Sequence, residues 1–354
     1  MIDKSTYTKE HLLNLVKKYK TDPQLLERAI FALGLLEAIS KVSKDFCFKG
    51  GSSLMILTER PRRLSTDIDI IVEPDFDIDK LVAEASKIYP FISYEESIRK
   101  TNKNISKKHY RFSYKSILRE GKETQILLDV LFEKMPYVKT INTPIKNEML
   151  INNGEDYYVT TPTIEALLGD KLTAFAPHTV GIKFHNEDFS NDKRLEVVKQ
   201  MLDISSLFYL AHSFKSVKDN YIVVCDEEIK YRNLDISYKE CLLDSFNTAL
   251  SIVSRGYYNN EDYHLLVEGI SALSNHIYGQ KYSSEKAVDD AANVILLAAG
   301  ILTDTDVFNV DITEQPLITN INYNKINFQK KNRFEAYNKC AYAINIMLKA
   351  GLIE

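Results

Sequence analysis

Two aspartates separated by a single residue provide the clearest chemical signal in the sequence. Asp67 and Asp69 begin a run to Val72 that alternates and then becomes apolar. This pattern predicts a strand that enters a buried sheet. Because side chains two residues apart on a strand share a face, both carboxylates should point the same way, while Ile68 and Ile70 pack inward. Adjacent carboxylates repel unless a cation lies between them, and Mg²⁺ shares such oxygen ligands with substrate phosphates.

A glycine turn precedes this strand. Gly50, Gly51 and Ser52 follow a predicted strand over 45–48 and lead into a predicted helix over 52–59. Glycine lets the backbone approach a ligand closely, and a helix N-terminus offers N–H groups to a phosphate. A lone Asp-x-Asp is more often a surface or capping sequence than a metal site, and a lone Gly-Gly-Ser is an even weaker indication of a phosphate site. Their combination predicts a metal and nucleotide site.

A third carboxylate, Asp129, is the one charged residue in the apolar run from Ile126 to Phe132. The run predicts a buried strand over 125–132, in which an unpaired carboxylate would be costly. Asp129 therefore forms either a salt bridge with a neighbouring Lys or Arg or a third metal ligand. Three carboxylates would allow two Mg²⁺ ions, one lowering the pKa of an attacking hydroxyl and the other neutralising the triphosphate leaving group.

A basic run lies just before that strand. Between Arg99 and Lys122 there are nine basic residues and one acidic residue, with Tyr110, Phe112 and Tyr114 interleaved. Cations among aromatic rings suit phosphate contacts and base stacking, although a solvated basic hairpin would show the same pattern. The residues predicted to contact RNA are Lys107, Lys108, Arg111 and Lys115.

The elements that must position these residues give an α+β prediction. Helical spacing over 9–21, 23–41 and 77–88 indicates cover for a mixed sheet with strands over 45–48, 67–72, 91–95, 110–117 and 125–132. A polar connection over 136–160 is predicted to include one edge strand near 157–160. Helices are predicted from Thr163, over 194–210, and then over 238–254, 261–278, 284–302 and 330–350. The loop over 177–192, with His178 and His185, is predicted to be exposed.

The glycine turn and the Asp-Ile-Asp segment together resemble the signature of the polymerase-β-like nucleotidyltransferase superfamily. The flanking Arg63-x-Ser65-x-Asp67 and the segment from Gly169 to Ala174 are similar to the AbiEii/AbiGii toxin family of type IV toxin–antitoxin and abortive-infection systems. The resemblance implies a polymerase-β-type sheet and transfer of a nucleotide from an NTP to RNA, with tRNA favoured. It also implies Mg²⁺, pyrophosphate release and a cognate antitoxin.

The resemblance extends to single residues. Lys171 corresponds to the family lysine expected to bind the triphosphate together with the glycine turn. Lys199 and Asp203 correspond to a basic-x-x-x-Asp element that completes the active site, although four-residue spacing alone indicates a surface ion pair. Apart from the resemblance, Ser65 is predicted to share a face with Asp67 and to touch phosphate, and Asp129 to accept the hydroxyl proton.

The length of 354 residues is sufficient for two domains, and the composition is ordinary for a globular protein. The formal charge of −4 excludes a uniformly basic nucleic-acid binder. The prediction divides the chain into a catalytic domain (1–150), a helical segment that completes the site (151–210) and a helical C-terminal domain (211–354). A polar N-terminus and scattered cysteines favour a cytoplasmic protein without membrane association. Two alternatives stay open: an antibiotic-type small-molecule nucleotidyltransferase, which the basic run disfavours, and a non-catalytic nucleotide- or RNA-binding module.

Overall fold

A computed structural model describes residues 1–58, 61–97, 106–185, 192–277 and 281–354. The chain forms two units, one of Met1–Thr163 with Asn275–Gln280 and the other of Ile164–Ser274 with Lys281–Glu354. The chain thus returns briefly to the first unit, where the backbone N–H of Leu64 donates to the carbonyl of His276 at 3.0 Å and Arg63 forms a β-bridge with Ile277. The predicted assignment of roles to three domains stays a prediction.

The described part of the first unit contains a mixed sheet of seven strands in the order β3-β4-β5-β2-β1-β7-β6. The pairs β2–β5 and β1–β7 are parallel, and the other neighbours are antiparallel. The α+β prediction is therefore confirmed. The strands are β1 (Cys47–Lys49), β2 (Asp67–Val72), β3 (Phe91–Glu96), β4 (Lys107–Lys115), β5 (Glu123–Phe132), β6 (Thr140–Pro144) and β7 (Tyr158–Pro162).

Four helices accompany this sheet: α1 (Lys9–Tyr19), α2 (Pro23–Val42), α3 (Gly50–Leu57) and α4 (Ile78–Ala85). Helix α2 begins as its sequence predicts, with Pro23 in the first turn and the Asp22 carboxylate accepting the Leu25 N–H at 2.8 Å. Apolar side chains of α1, α2 and α4 share one core with the inward residues of β2, β4 and β5. One face of the central strands is therefore buried against these helices, and Asp67 lies on the opposite face, where it is half-buried.

Two strand predictions need correction. The segment over 136–160 was predicted as a polar connection, yet Thr140–Pro144 pairs with β7 as an edge strand. The strand predicted as an edge near 157–160 lies instead between β1 and β6. Residues 140–144 are short, polar and end at a proline, so an isolated sequence signal is weak there, and the strand exists because β7 offers it a partner.

The second unit is helical, which confirms the predicted helical C-terminal region. One helix over 214–232 was missed, because its charged face masks the apolar spacing of Val217, Tyr221 and Val224. None of the described helices is long and apolar enough to cross a membrane. The helices are α5 (Ile164–Ala174), α6 (Arg194–Phe208), α7 (Phe214–Arg232), α8 (Tyr238–Val253), α9 (Asn260–Leu273), α10 (Ser284–Thr303), α11 (Gln329–Asn332) and α12 (Phe334–Lys349).

Candidate active site

The three predicted carboxylates lie on one face of two adjacent strands. In the parallel β2–β5 pair, Asp69 is the direct partner of Asp129, and Asp67 is opposite Leu127. Ile68 and Ile70 are buried on the other face, so the predicted alternation of β2 is confirmed. Asp67, Asp69 and Asp129 are each half-buried. The sheet register therefore gathers carboxylates that are 60 residues apart in the chain at one place.

The glycine turn packs directly against this place. Gly50 has a φ of +77°, and a Cβ on it would lie 2.2 Å from Oδ2 of Asp69. Only glycine combines this backbone conformation with such a close approach. Helix α3 starts at Gly50, two residues before its predicted start, so the first N–H groups of the helix lie beside Asp69.

The side chains around the turn are already engaged. The Ser52 hydroxyl donates to the backbone carbonyl of Asp67, and the Ser53 hydroxyl donates to that of Gly50 at 2.8 Å. A Cβ on Gly51 would lie 2.3 Å from Nη2 of the buried Arg63. The turn can therefore offer a phosphate its backbone N–H groups, with a guanidinium beside Gly51.

Asp67 and Asp129 each face a cation-forming side chain. Nη2 of Arg28 lies 3.7 Å from Oδ1 of Asp67, a half-exposed pair of small energetic worth. Nδ1 of His109 lies 2.7 Å from Oδ1 of Asp129. Asp129 is 32% exposed rather than fully buried, and the partner shown is this histidine instead of a predicted Lys or Arg. His109 is the direct partner of Asp129 on β4, a relationship visible only once the strand register is known.

The carboxylates of Asp67, Asp69 and Asp129 are chemically suitable ligands for a divalent cation. Carboxylate oxygens are the ligands that Mg²⁺ prefers, and the absent Cβ of Gly50 leaves Asp69 accessible from the turn. Within the residues that the structure describes, however, no three His, Cys, Asp or Glu side chains form a group close enough to hold a metal ion. The hydrogen bond to His109 and the proximity of Arg28 engage Asp129 and Asp67 in this arrangement.

Lys171 and Asp203 lie in the second unit and form a buried ion pair with 3.3 Å between Nζ and Oδ2. Nζ of Lys171 also donates to Oε1 of Gln200 at 3.1 Å, and Gln200 had no predicted role. Lys199 instead pairs with Glu196 at 2.8 Å. The alternative of a surface pair between Lys199 and Asp203 is therefore wrong, because Asp203 is buried with Lys171.

The basic run divides between two faces of β4. Lys107, Arg111 and Lys115 alternate in register with His109 and so lie on the Asp129 face, where Arg111 approaches Glu95 at 3.3 Å. Lys108 lies on the opposite face and pairs with Asp79 of α4 at 2.9 Å. Arg99, Lys100 and Lys103 fall outside the described residues.

The aromatic side chains of that run do not face a ligand. Tyr110, Phe112 and Tyr114 are all fully buried in the core between the sheet and its helices. The prediction that they stack on bases is wrong, because residues at even positions of β4 point inward. Ser65 precedes β2, which begins at Asp67, so strand alternation does not extend to Ser65 or place it on the Asp67 face.

The loop predicted to be exposed is anchored in its described part. Nε2 of His178 lies 2.8 Å from Oδ2 of the buried Asp262, and the His178 backbone N–H donates to Asp244 at 2.9 Å. The hydrogen bond with Asp262 raises the pKa of His178. His185 forms a β-bridge with Asp192. Neither histidine belongs to a group that could hold a metal ion within the described residues.

Comparison with known proteins places this geometry in a family. Residues 34–263 match the family described as nucleotidyl transferase AbiEii toxin, type IV TA system. The MenT4 nucleotidyltransferase toxin of Mycobacterium tuberculosis H37Rv aligns over 94% of this chain and 97% of its own, with 12% identity and a TM-score of 0.49. An antigenic nucleotidyltransferase-like protein of Paracoccidioides brasiliensis aligns over 58% of this chain and 89% of its own, with 15% identity and a TM-score of 0.37. The search of curated proteins finds no match.

The family match covers well over half of the chain, including the glycine turn, all three carboxylates, Lys171 and Asp203. The two solved structures are too distant to carry further argument. The chain therefore belongs to the AbiEii family of nucleotidyl transferase toxins of type IV toxin–antitoxin systems.

Proposed function

We propose that the chain transfers a nucleotide from an NTP to an RNA acceptor, with tRNA as the favoured class, in a Mg²⁺-dependent reaction. A cognate antitoxin neutralises this activity in the cytoplasm. The observation that carries the proposal is the direct pairing of Asp69 with Asp129 beside Gly50, in a chain of a nucleotidyl transferase family. Paired carboxylates next to a helix N-terminus suit a triphosphate and its counter-ion.

In the proposed reaction, Asp67, Asp69 and Asp129 would hold Mg²⁺, and the ion would supply positive charge to the triphosphate and favour ionisation of the attacking hydroxyl. Backbone N–H groups of Gly50, Gly51 and Ser52 contact the phosphates. The acceptor hydroxyl forms a bond to the α-phosphorus, the bond from that phosphorus to the bridging oxygen breaks, and pyrophosphate leaves. Asp129 accepts the hydroxyl proton.

Basic side chains on the Asp129 face support a polyanionic acceptor. Lys107 and Lys115 are exposed there, and Arg111 lies between them. A polynucleotide gains from several such cations at once, whereas the often cationic acceptors of antibiotic-modifying enzymes do not. Lys108 contributes through the opposite face only if Asp79 releases it. The roles predicted for Ser65, Lys171, Lys199 and Asp203 stay predictions.

The test is a transfer assay. The purified protein is incubated with total RNA, Mg²⁺ and each NTP labelled at the α-phosphate, next to the Asp69→Asn variant, and the products are separated on a denaturing gel. We expect label on a band of tRNA size, lost in the variant and in EDTA. The same NTP labelled at the γ-phosphate should leave the RNA unlabelled, which separates nucleotidyl transfer from phosphorylation.

Other outcomes would overturn the proposal. Label on an aminoglycoside but not on RNA would make the acceptor a small molecule. No label on any acceptor, with NTP binding intact, would leave a nucleotide-binding module. Transfer that persists in Asp69→Asn would place the metal site elsewhere.

A further inference from the structure

Aromatic and basic side chains from the turn after α8 and from the segment before α12 form a surface of the second unit, on which Tyr258 and Tyr323 are half-buried and the other members are exposed. We call it the tyrosine–lysine patch. Its members are Tyr257, Tyr258, Tyr323, Lys325, Phe328 and Lys331. Exposed rings with cations beside them are the combination that the basic run of β4 lacks, because the aromatic residues of β4 are buried.

The rings of the patch are held in place by one another. Tyr257 is 62% exposed, and Nζ of Lys325 lies 5.0 Å from its ring centroid. Tyr257 and Tyr258 meet edge to face at 5.2 Å, and Tyr258 and Tyr323 lie 6.0 Å apart. The Tyr258 hydroxyl accepts the backbone N–H of Lys325 at 3.1 Å. A base that stacks on Tyr257 would therefore meet a ring that is already ordered.

A pocket of about 670 Å³ is lined by two members of the patch, Phe328 and Lys331. This volume is in the range of small-ligand sites. Gln329 is fully buried in its wall, and its Nε2 donates to the carbonyl of Val253 at 2.8 Å. Its Oε1 has no hydrogen-bond partner in the part of the chain that the structure describes. Other residues lining the pocket are Arg255, Glu285, Phe328, Lys331 and Arg333.

The charge of this region favours a polyanion. The segment 321–334 contains four basic residues and no acidic residue. Arg255 pairs with Glu285, Lys330 with Glu314 and Arg333 with Asp289, so these three charges are balanced locally and do not by themselves attract a polyanion. Lys325 and Lys331 are exposed. Two such ammonium groups next to exposed rings can contact successive phosphates while bases stack.

We propose that the tyrosine–lysine patch binds a single-stranded segment of RNA, with one base on Tyr257, a second on Phe328, and phosphates on Lys325 and Lys331. This inference rests on the proposed function, because it assigns the RNA acceptor a contact on the second unit. Exposed Ile321 lies two residues before Tyr323, but an apolar protein partner fits the patch less well, because it would bury the ammonium groups of Lys325 and Lys331 without a counter-charge.

The test measures RNA binding without turnover. Fluorescence anisotropy of a labelled 12-nucleotide uridine RNA is followed with the full chain, in the absence of NTP. Tyr257→Ala should raise Kd at least ~5-fold, since one stacked base is lost, and Tyr257→Phe should retain binding. Lys331→Gln should lower the slope of log K against log salt concentration by about 0.7, the value for one phosphate contact on a single strand.

The chain offers a matched control in Tyr209, which is also 62% exposed and has Nζ of Lys339 at 4.9 Å from its ring centroid. Tyr209→Ala should leave Kd unchanged. The inference would be overturned if Tyr209→Ala and Tyr257→Ala changed Kd equally, or if neither changed it. It would also be overturned if the unmodified chain did not bind the RNA. Loss of antitoxin binding with RNA affinity intact in Tyr257→Ala would make the patch a protein interface instead.

The two proposals fail separately. Nucleotide transfer to RNA that is intact, combined with RNA affinity independent of Tyr257, would overturn this inference alone. RNA affinity that depends on Tyr257, combined with no transfer to any RNA, would overturn the proposed function and leave an RNA-binding surface.

Discussion

Asp69 on β2 and Asp129 on β5 are direct partners across two parallel strands, so two carboxylates lie side by side on one face of the sheet. Neighbouring strands are about 4.8 Å apart. Like charges at that spacing raise the free energy of the folded protein unless a cation or a proton compensates. Such an arrangement is typical of functional sites, where stability is sacrificed for chemistry.

Asp69→Asn should separate activity from stability. We expect nucleotide transfer to fall at least ~100-fold, because the proposed site would lose one of the carboxylate charges that attract Mg²⁺, and metal-ion catalysis is worth several kcal/mol. The thermal unfolding midpoint should stay equal or rise, because one like-charge repulsion disappears. Asp75→Asn, at an exposed aspartate just after β2, should change neither quantity. A lower midpoint in Asp69→Asn would show that Asp69 supports the fold instead.

Gly50→Ala and Gly121→Ala form a matched pair. Both glycines have a positive φ, +77° and +78°, but a Cβ on Gly50 would meet Asp69 whereas one on Gly121 would meet nothing within 4 Å. Backbone strain should lower the free energy of unfolding by about 1 kcal/mol in each variant. Gly50→Ala should lose more, because its new Cβ must displace the Asp69 carboxylate. Only Gly50→Ala should also reduce transfer. Chemical denaturation and the gel assay measure the two effects, and equal loss of transfer in both variants would contradict a specific role for Gly50.

His109 should act as a positioning residue for Asp129. Its ring is 12% exposed, and its Nδ1 is 2.7 Å from the carboxylate. His109→Ala should reduce transfer by roughly 10-fold through kcat, with KM for the NTP nearly unchanged. His109→Asn should restore part of the rate, because its amide nitrogen can replace Nδ1 as a donor to Asp129. If both variants lose the same activity and the same stability, the histidine serves packing alone.

The buried pair of Lys171 and Asp203 should show strong non-additivity. Lys171→Met leaves the Asp203 carboxylate buried without its ammonium partner, which should cost about 3 kcal/mol of unfolding free energy. The double variant Lys171→Met/Asp203→Leu should recover much of that loss, because the buried charge is removed as well. Denaturant titrations of the two single variants and the double variant measure the coupling. Additive losses would mean that the two side chains do not depend on each other.

The stability of the second unit should fall as the pH rises above 6.5. Because the hydrogen bond with Asp262 raises the pKa of His178 from its usual 6.5, the protonated form stabilises the fold. That contribution is fully present below about pH 6.5 and is lost as the pH rises through the higher folded-state pKa. The unfolding midpoint should therefore decrease from pH 6 to pH 8 less steeply in His178→Asn than in the unmodified chain. His212→Asn, at an exposed histidine, should keep the unmodified slope.

Local sequence patterns predicted the strands of the first unit that carry the three carboxylates. The period-two alternation around Asp67 gave both the strand and the face of the carboxylates, because burial of Ile68 and Ile70 is a local consequence of sequence. The position of Asp129 in a strand could likewise be predicted from the apolar residues next to it in the sequence. Its pairing with Asp69 was not, because register between strands 60 residues apart is set by the whole sheet.

The errors have the same origin. His109 carried no local signal, and its contact with Asp129 follows from the β4–β5 register. Tyr110, Phe112 and Tyr114 looked available for stacking because a list of residue types does not reveal which face of a strand is covered by helices. Family resemblance, not spacing, brought Lys171 and Asp203 together as site residues, and Gln200 between them had no sequence signature.

The brief return of residues 275–277 to the first unit has a practical consequence. The segment supplies the carbonyl that the Leu64 N–H requires and the bridge at Arg63, whose guanidinium lies beside Gly51. A fragment that stops at Thr163 would leave these backbone groups exposed to solvent next to the glycine turn. The first unit is therefore built from two separate parts of the chain, Met1–Thr163 and Asn275–Gln280. Neither a gene fragment with one boundary nor a single proteolytic cut yields the complete first unit.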